Sequence, residues 1–164
     1  MTTFQSLLIA LSMSSAAAFA QSQPVSMPAP ENQAFKPQIW VNLGGFSRHF
    51  SRDAGFNESN LGLGVEYRTN PEVSYMAGAY YNSVRKTTSY LAVNWQPFSF
   101  GDLRVGAALG LMNGYPSQAK GGAFFAALPL ASWEGKRFGI NFGLIPSIGD
   151  IEGAVIVQFK VKVH

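Results

Sequence analysis

The sequence predicts an all-β protein: an eight-stranded antiparallel up-and-down transmembrane β-barrel. Three observations predict it. From Pro37 onward apolar residues recur with period two, in eight runs of mostly about ten residues, the length a tilted strand needs to cross a bilayer. The connections between runs alternate between tight and longer ones, as in outer-membrane barrels. Finally, the apolar set repeats on one face of every run while glycine and scattered polar residues occupy the other, which places lipid outside and a filled interior inside.

Residues 1–20 read as an export signal. "SLLIALSMSSAAAFA" is an apolar stretch of secretory length ending in the small-residue pattern Ala18-Phe19-Ala20, although "MTTFQ" before it lacks Lys and Arg. Residues 21–36 form a flexible Pro-rich segment. The barrel occupies 37–164, and no other stretch approaches the roughly 20 apolar residues of a transmembrane helix. The expected location is the bacterial outer membrane, reached by export.

In the first run Ile39, Val41 and Leu43 alternate with Trp40, Asn42 and Gly44; in the second Leu61, Leu63, Val65 and Tyr67 alternate with Gly62, Gly64, Glu66 and Arg68. Further runs follow near 72–83, 89–98, 102–113, 122–133, 137–148 and 153–163. "RTNPE", "PFSFGD" and "EGK" are tight turns; "SRDAGFNES", "VRKTT", "YPSQAKGG" and "PSIGDIEG" are the longer loops of the opposite end. The outward set is clearest in Leu103, Val105, Ala107, Leu109 and Leu111 and in Val155, Val157, Phe159, Val161 and Val163. A closed barrel leaves no backbone edge in lipid.

Composition agrees. Only 13% of residues are charged, against roughly 25% in ordinary soluble domains. A net charge of +3, spread along the chain, offers no nucleic-acid footprint, and the absence of cysteine excludes a disulfide framework or thiolate metal site. No metal or cofactor motif is present: Gly62 and Gly64 lie inside a strand and open no helix. The protein is expected to act as a monomer.

The inward set is graded. Towards the short turns lie Glu66, Arg68, Asn94, Gln96, Arg104, Gln158 and Lys160, with Glu66 able to pair Arg104 or Lys160. Towards the long loops lie Gly44, Phe46, Gly62, Gly78, Tyr80, Ala92, Ala108, Gly110, Met112, Gly143, Ile145, Ala154 and Ile156. This upper set either packs closely, as eight-stranded interiors do, or leaves an apolar cavity for a long hydrocarbon. Pro129 and Pro146 fall in adjacent runs. Because proline cannot donate to a ladder, the pair would loosen the sixth and seventh strands near the outer leaflet, unless Pro146 only begins a loop.

"LPLASWEGKRFGINFGLIP" resembles the corresponding stretch of the lipid A palmitoyltransferase (PagP) family of eight-stranded outer-membrane barrels. The likeness extends through "LRVGAALGLMNGY" and "MAGAYYNSVRKTTSYLAVNW", and less clearly to "FSRHF". It implies a barrel with an internal acyl-chain pocket, a lateral lipid gate marked by Pro129 and Pro146, and transfer of a palmitoyl-like chain from a phospholipid donor to lipid A. The family's loop histidine matches His49 and its serine Ser83, while its aspartate is replaced by Asn82; Asp53 is a substitute carboxylate. The glycine flooring the family's pocket falls at Asn94, which implies a shorter chain than palmitate. Gly78, Ala92, Gly110 and Met112 would line the pocket.

The residues agree with that carry-over, since His49 and Ser83 both fall at the loop end, one strand apart. Histidine titrates near neutrality and is the usual general base. Ser83 follows Tyr81 on the outward set, so the strand must end or twist there, and it also reads as a solvated loop serine. Two further functions stand beside acyl transfer: a non-catalytic barrel of the same ancestry that binds lipid or supports the envelope, and a small adhesive barrel working through its loops.

Overall fold

An extended segment has no partners for its own N–H and C=O groups, so alternating strands must bond to one another. In the computed structural model, which describes residues 34–149 and 151–164, they do so around a closed ring of eight strands. The strands are β1 (Gln38–His49), β2 (Ser59–Arg68), β3 (Val73–Tyr81), β4 (Thr87–Phe100), β5 (Leu103–Met112), β6 (Phe124–Glu134), β7 (Phe138–Ile145) and β8 (Ala154–Lys162). Each is antiparallel to the next, and β8 closes on β1, with Trp40 opposite Lys162 and His49 opposite Ala154. The expected export segment and residues 21–33 of the Pro-rich segment lie outside the described residues.

Turn chemistry fixes the short end. Phe100 pairs Leu103, leaving the two-residue hairpin Gly101-Asp102, in which Gly101 takes the positive φ (63°) that such a turn requires. Between β2 and β3 the Asn70 side chain receives the amides of Glu72 and Val73, both at 2.9 Å, a local cap of the kind asparagine favours.

The exterior is the apolar face. Leu61, Leu63, Leu91, Leu111 and Phe125 project outward and are exposed, and Tyr67, Tyr75, Trp95, Phe98, Phe100, Trp133 and Phe138 form an aromatic belt towards the short turns. A soluble barrel would reverse this pattern; a lipid-facing one demands it.

The interior is stratified. Nearest the short turns Glu66, Arg68, Glu134, Arg104 and Lys160 form one ion-pair cluster, with Trp40 beneath the Lys160 ammonium at 4.9 Å. Glu66 takes Lys160 (2.8 Å), as the composition of this layer suggests, but Arg104 goes instead to Glu134 (3.0 Å), which in the sequence reads as part of the turn "EGK". Above this, Gln96, Ser132, Asn141 and Gln158 are chained by hydrogen bonds of 2.8, 2.7 and 3.0 Å. The long-loop half above them is apolar.

Two strands break the simple alternation. In β1 the register shifts between Leu43 and Gly45 against β2 and between Asn42 and Gly45 against β8. Trp40 and Asn42 face inward below the shift; Gly45, Ser47 and His49 face inward above it, and Phe46, expected inside, is 57% exposed on the outer face. Gly45 permits this: a Cβ there would run into the Val157 carbonyl of β8. In β4, Pro97 sits in a second shift between Trp95 and Phe98, which keeps Phe98 and Phe100 outside.

The β6–β7 ladder is the short one. It joins Leu130–Glu134 to Gly139–Gly143 and stops, although β6 runs on to Phe124 beside β5 and β7 runs on to Ile145 beside β8. Continuing the register would set Pro129 opposite Leu144 and Pro146 opposite Ala127. Each proline would remove a donor from that stretch.

Candidate functional site

The apolar upper half encloses a cavity of about 180 Å³ that opens towards the long loops. For scale, an engineered apolar cavity of about 150 Å³ holds one benzene, so this space suits part of a single hydrocarbon chain. Ala92, Gly110 and Met112 line it, with Gly62, Ala108, Leu128, Gly143, Ile145 and Ile156. Gly78 does not; it makes room for Tyr90, whose hydroxyl would lie 2.8 Å from a Cβ at that position. The Gly-rich wall therefore serves both ends: some glycines admit a tyrosine, the others leave space.

His49 sits at the mouth. The register shift at Gly44-Gly45 turns it inward, where it is 6% exposed, stacked on Phe56 at 4.4 Å, and its Nδ1 has no hydrogen-bond partner among the described residues. The carboxylates beside it are those of Glu58, which lies 3.4 Å from its backbone nitrogen, and Glu152. The Ser51 hydroxyl, and after it a hydrogen bond of 3.0 Å from the Ser51 backbone amide, hold the Glu152 carboxyl below the usual range. Asp53, the suggested substitute, lies instead on an exposed 3-10 turn.

Ser83 follows the end of β3, half-buried, and lines the same cavity as His49. Its backbone carbonyl receives the Asn57 amide at 2.8 Å, which ties the first and second long loops together. Asn82 is placed differently. It is fully buried, its Nδ2 donates to Thr88 Oγ1 (3.0 Å) and the Gly114 carbonyl (2.8 Å), and its Oδ1 receives the amides of Val84 and Lys86 (3.0 and 2.9 Å). That side chain is spent on the loops.

Asn94 faces inward and is fully buried, but in the polar layer below the cavity, donating to Gln96 at 3.3 Å. Tyr90, Asn141 and Gln158 line the lower cavity wall. Pro129 is exposed on the outer face of β6, and Pro146 follows the last residue of β7. Sequence reasoning missed Ser47, an inward-facing residue of β1 that also lines the cavity. Its strand neighbours signal nothing unless the register shift is known. Tyr115, missed as well, meets Tyr80 hydroxyl to hydroxyl at 3.1 Å over the same space.

No family model and no curated protein matches the chain. Among solved structures, a barrel from the de novo design of transmembrane β-barrels aligns with a TM-score of 0.56 and 11% identity, over 80% of this chain and 98% of its own. The de novo designed TMB2.3, solved by solution NMR, aligns at 0.55 and 12%, over 78% and 96%. The N-terminal β-barrel domain of Pseudomonas aeruginosa OprF aligns at 0.43 and 16%, over 76% and 95%, too low a score to carry weight. These likenesses concern the fold alone.

Proposed function

We propose that this chain is an outer-membrane acyltransferase that draws one acyl chain of a phospholipid into its upper cavity and passes it to lipid A or a related acceptor. The observation that carries this reading is a buried histidine turned into the mouth of an apolar cavity whose wall it shares with Ser83. The unpaired upper stretch between β6 and β7 supports it too, because a chain arriving from the outer leaflet needs a sideways entrance. In the reaction, His49 accepts the proton of the acceptor hydroxyl as that oxygen attacks the ester carbonyl. The carbon–oxygen bond to the lysophospholipid breaks, and the proton passes to the departing oxygen. Ser83 orients the acceptor.

A non-catalytic lipid-binding barrel is the second reading, favoured by Asn82, whose amide is fully engaged with Thr88, Gly114, Val84 and Lys86. Mass spectrometry of lipid A from cells expressing wild type, His49→Ala and Ser83→Ala separates the two. An added acyl mass with wild type that disappears with His49→Ala and falls at least tenfold with Ser83→Ala is the expected result. Removing a general base typically costs 10²–10⁴-fold. No added mass from well-folded wild type leaves the second reading.

A further inference from the structure

We infer that Ser47 forms a carbonyl-binding subsite at the head of the cavity, holding the ester or acid end of an acyl chain whose tail points towards Tyr90. The inference rests on the acyl-cavity reading above but not on acyl transfer. Ser47 lies on the inward face of β1, two residues below His49, is 7% exposed, and its hydroxyl has no partner among the described residues. Around it Nδ1 of His49 and Oδ1 of Asn60 are also buried and unpartnered, and all three residues line the cavity. Asn60 pairs opposite Gly45, beside Ser47, and its amide nitrogen is already committed to the Tyr81 carbonyl at 3.2 Å.

Buried polar groups are normally satisfied, and what could satisfy these is constrained by the rest of the wall. A hydrocarbon alone would cover Leu128, Ile145 and Ile156 but leave the polar atoms bare. Water alone would satisfy the polar atoms but leave the apolar wall against an empty space. An amphiphile with a carbonyl at the height of Ser47 answers both demands at the head of the cavity, where the serine O–H donates to the carbonyl oxygen and Asn60 Oδ1, an acceptor only, remains for a hydroxyl. Ser47 is then a positioning residue that sets the ester within reach of His49. The register shift at Gly44-Gly45 brings both to the inner face together.

The test uses the full barrel in detergent micelles with methyl dodecanoate carrying a ¹³C carbonyl, and dodecane as the headless comparison. The expected result is a carbonyl stretch lowered by hydrogen bonding in wild type, lost in Ser47→Ala together with a 5–10-fold weaker affinity, about the worth of one neutral hydrogen bond. Ser47→Thr, which keeps the hydroxyl, restores the lowered stretch, and dodecane binds wild type and Ser47→Ala alike. An unchanged stretch and affinity in Ser47→Ala overturns the subsite. Leu128→Trp fills the cavity and should weaken both probes; if it weakens neither, the cavity reading and the subsite fall together. If the ester binds as expected while lipid A gains no acyl mass, the subsite stands and only the transferase reading falls.

Discussion

Asn82 occupies the position where the resemblance expects an aspartate, and its hydrogen bonds explain why an amide stands there. Two of the four are donations, to Thr88 Oγ1 and to the Gly114 carbonyl, which join the second long loop to the third. A carboxylate can only accept. Asn82→Asp would keep the bonds from Val84 and Lys86 but face the Gly114 carbonyl with a bare oxygen. A buried acceptor left unpaired costs about 1–3 kcal/mol. The expected outcome is a drop of that size in unfolding free energy, read by urea titration in micelles, with no gain in acyl transfer. Higher transfer at undiminished stability would mean that the acid belongs to the site and the amide is a loss.

At the scale of elements, the division within β6 and β7 makes a claim of its own. Below Pro129 the two strands share a ladder of five residue pairs; above it each is bonded on one side only. Amide exchange in micelles should therefore split β6. The amides of Leu130–Glu134 and Gly139–Gly143 that point across the ladder should be protected, and those of 124–128 and 144–145 that point into the seam should exchange at least tenfold faster. Uniform protection along β6 would close the seam. Much of this architecture is legible in the sequence, because alternation and turn chemistry are local and Pro129 and Pro146 announce themselves. What is not legible is parity across an irregularity. The pair Gly44-Gly45 is visible, but nothing local says that the strand changes face there, so Phe46 reads as interior when it is outside and Ser47 goes unnoticed. Glu134 is lost for a related reason: it stands beside Gly135 and reads as turn, whereas its role depends on cations contributed by three other strands.

Those cations give the whole molecule its polarity of purpose, with stability concentrated at the short-turn end and openness at the other. Glu134 Oε1 lies 2.5 Å from Arg68 and 2.6 Å from Lys160, and its Oε2 lies 3.0 Å from Arg104, so one carboxylate ties β6 to β2, β8 and β5. Glu66 binds two of the same cations and Ser74 at 2.7 Å, adding β3 to the same cluster. Three cations face two carboxylates, and apart from part of Arg104 the cluster is shut off from solvent. Glu134→Gln would leave Arg68 and Lys160 to Glu66 alone and Arg104 without a carboxylate. Breaking a buried ionic arrangement by removing one partner costs about 3–5 kcal/mol, because the remaining charge is uncompensated. The comparison is Glu58→Gln, which removes the Arg48–Glu58 pair at the loop end, where both side chains are substantially exposed; exposed pairs are worth at most about 1 kcal/mol. Urea unfolding of the two variants in the same micelles should therefore differ by about 2 kcal/mol or more, with Glu134→Gln the weaker. Equal losses would mean that the cluster fills space rather than holding the barrel shut, and that the wide, Gly-lined upper half keeps its shape by other means.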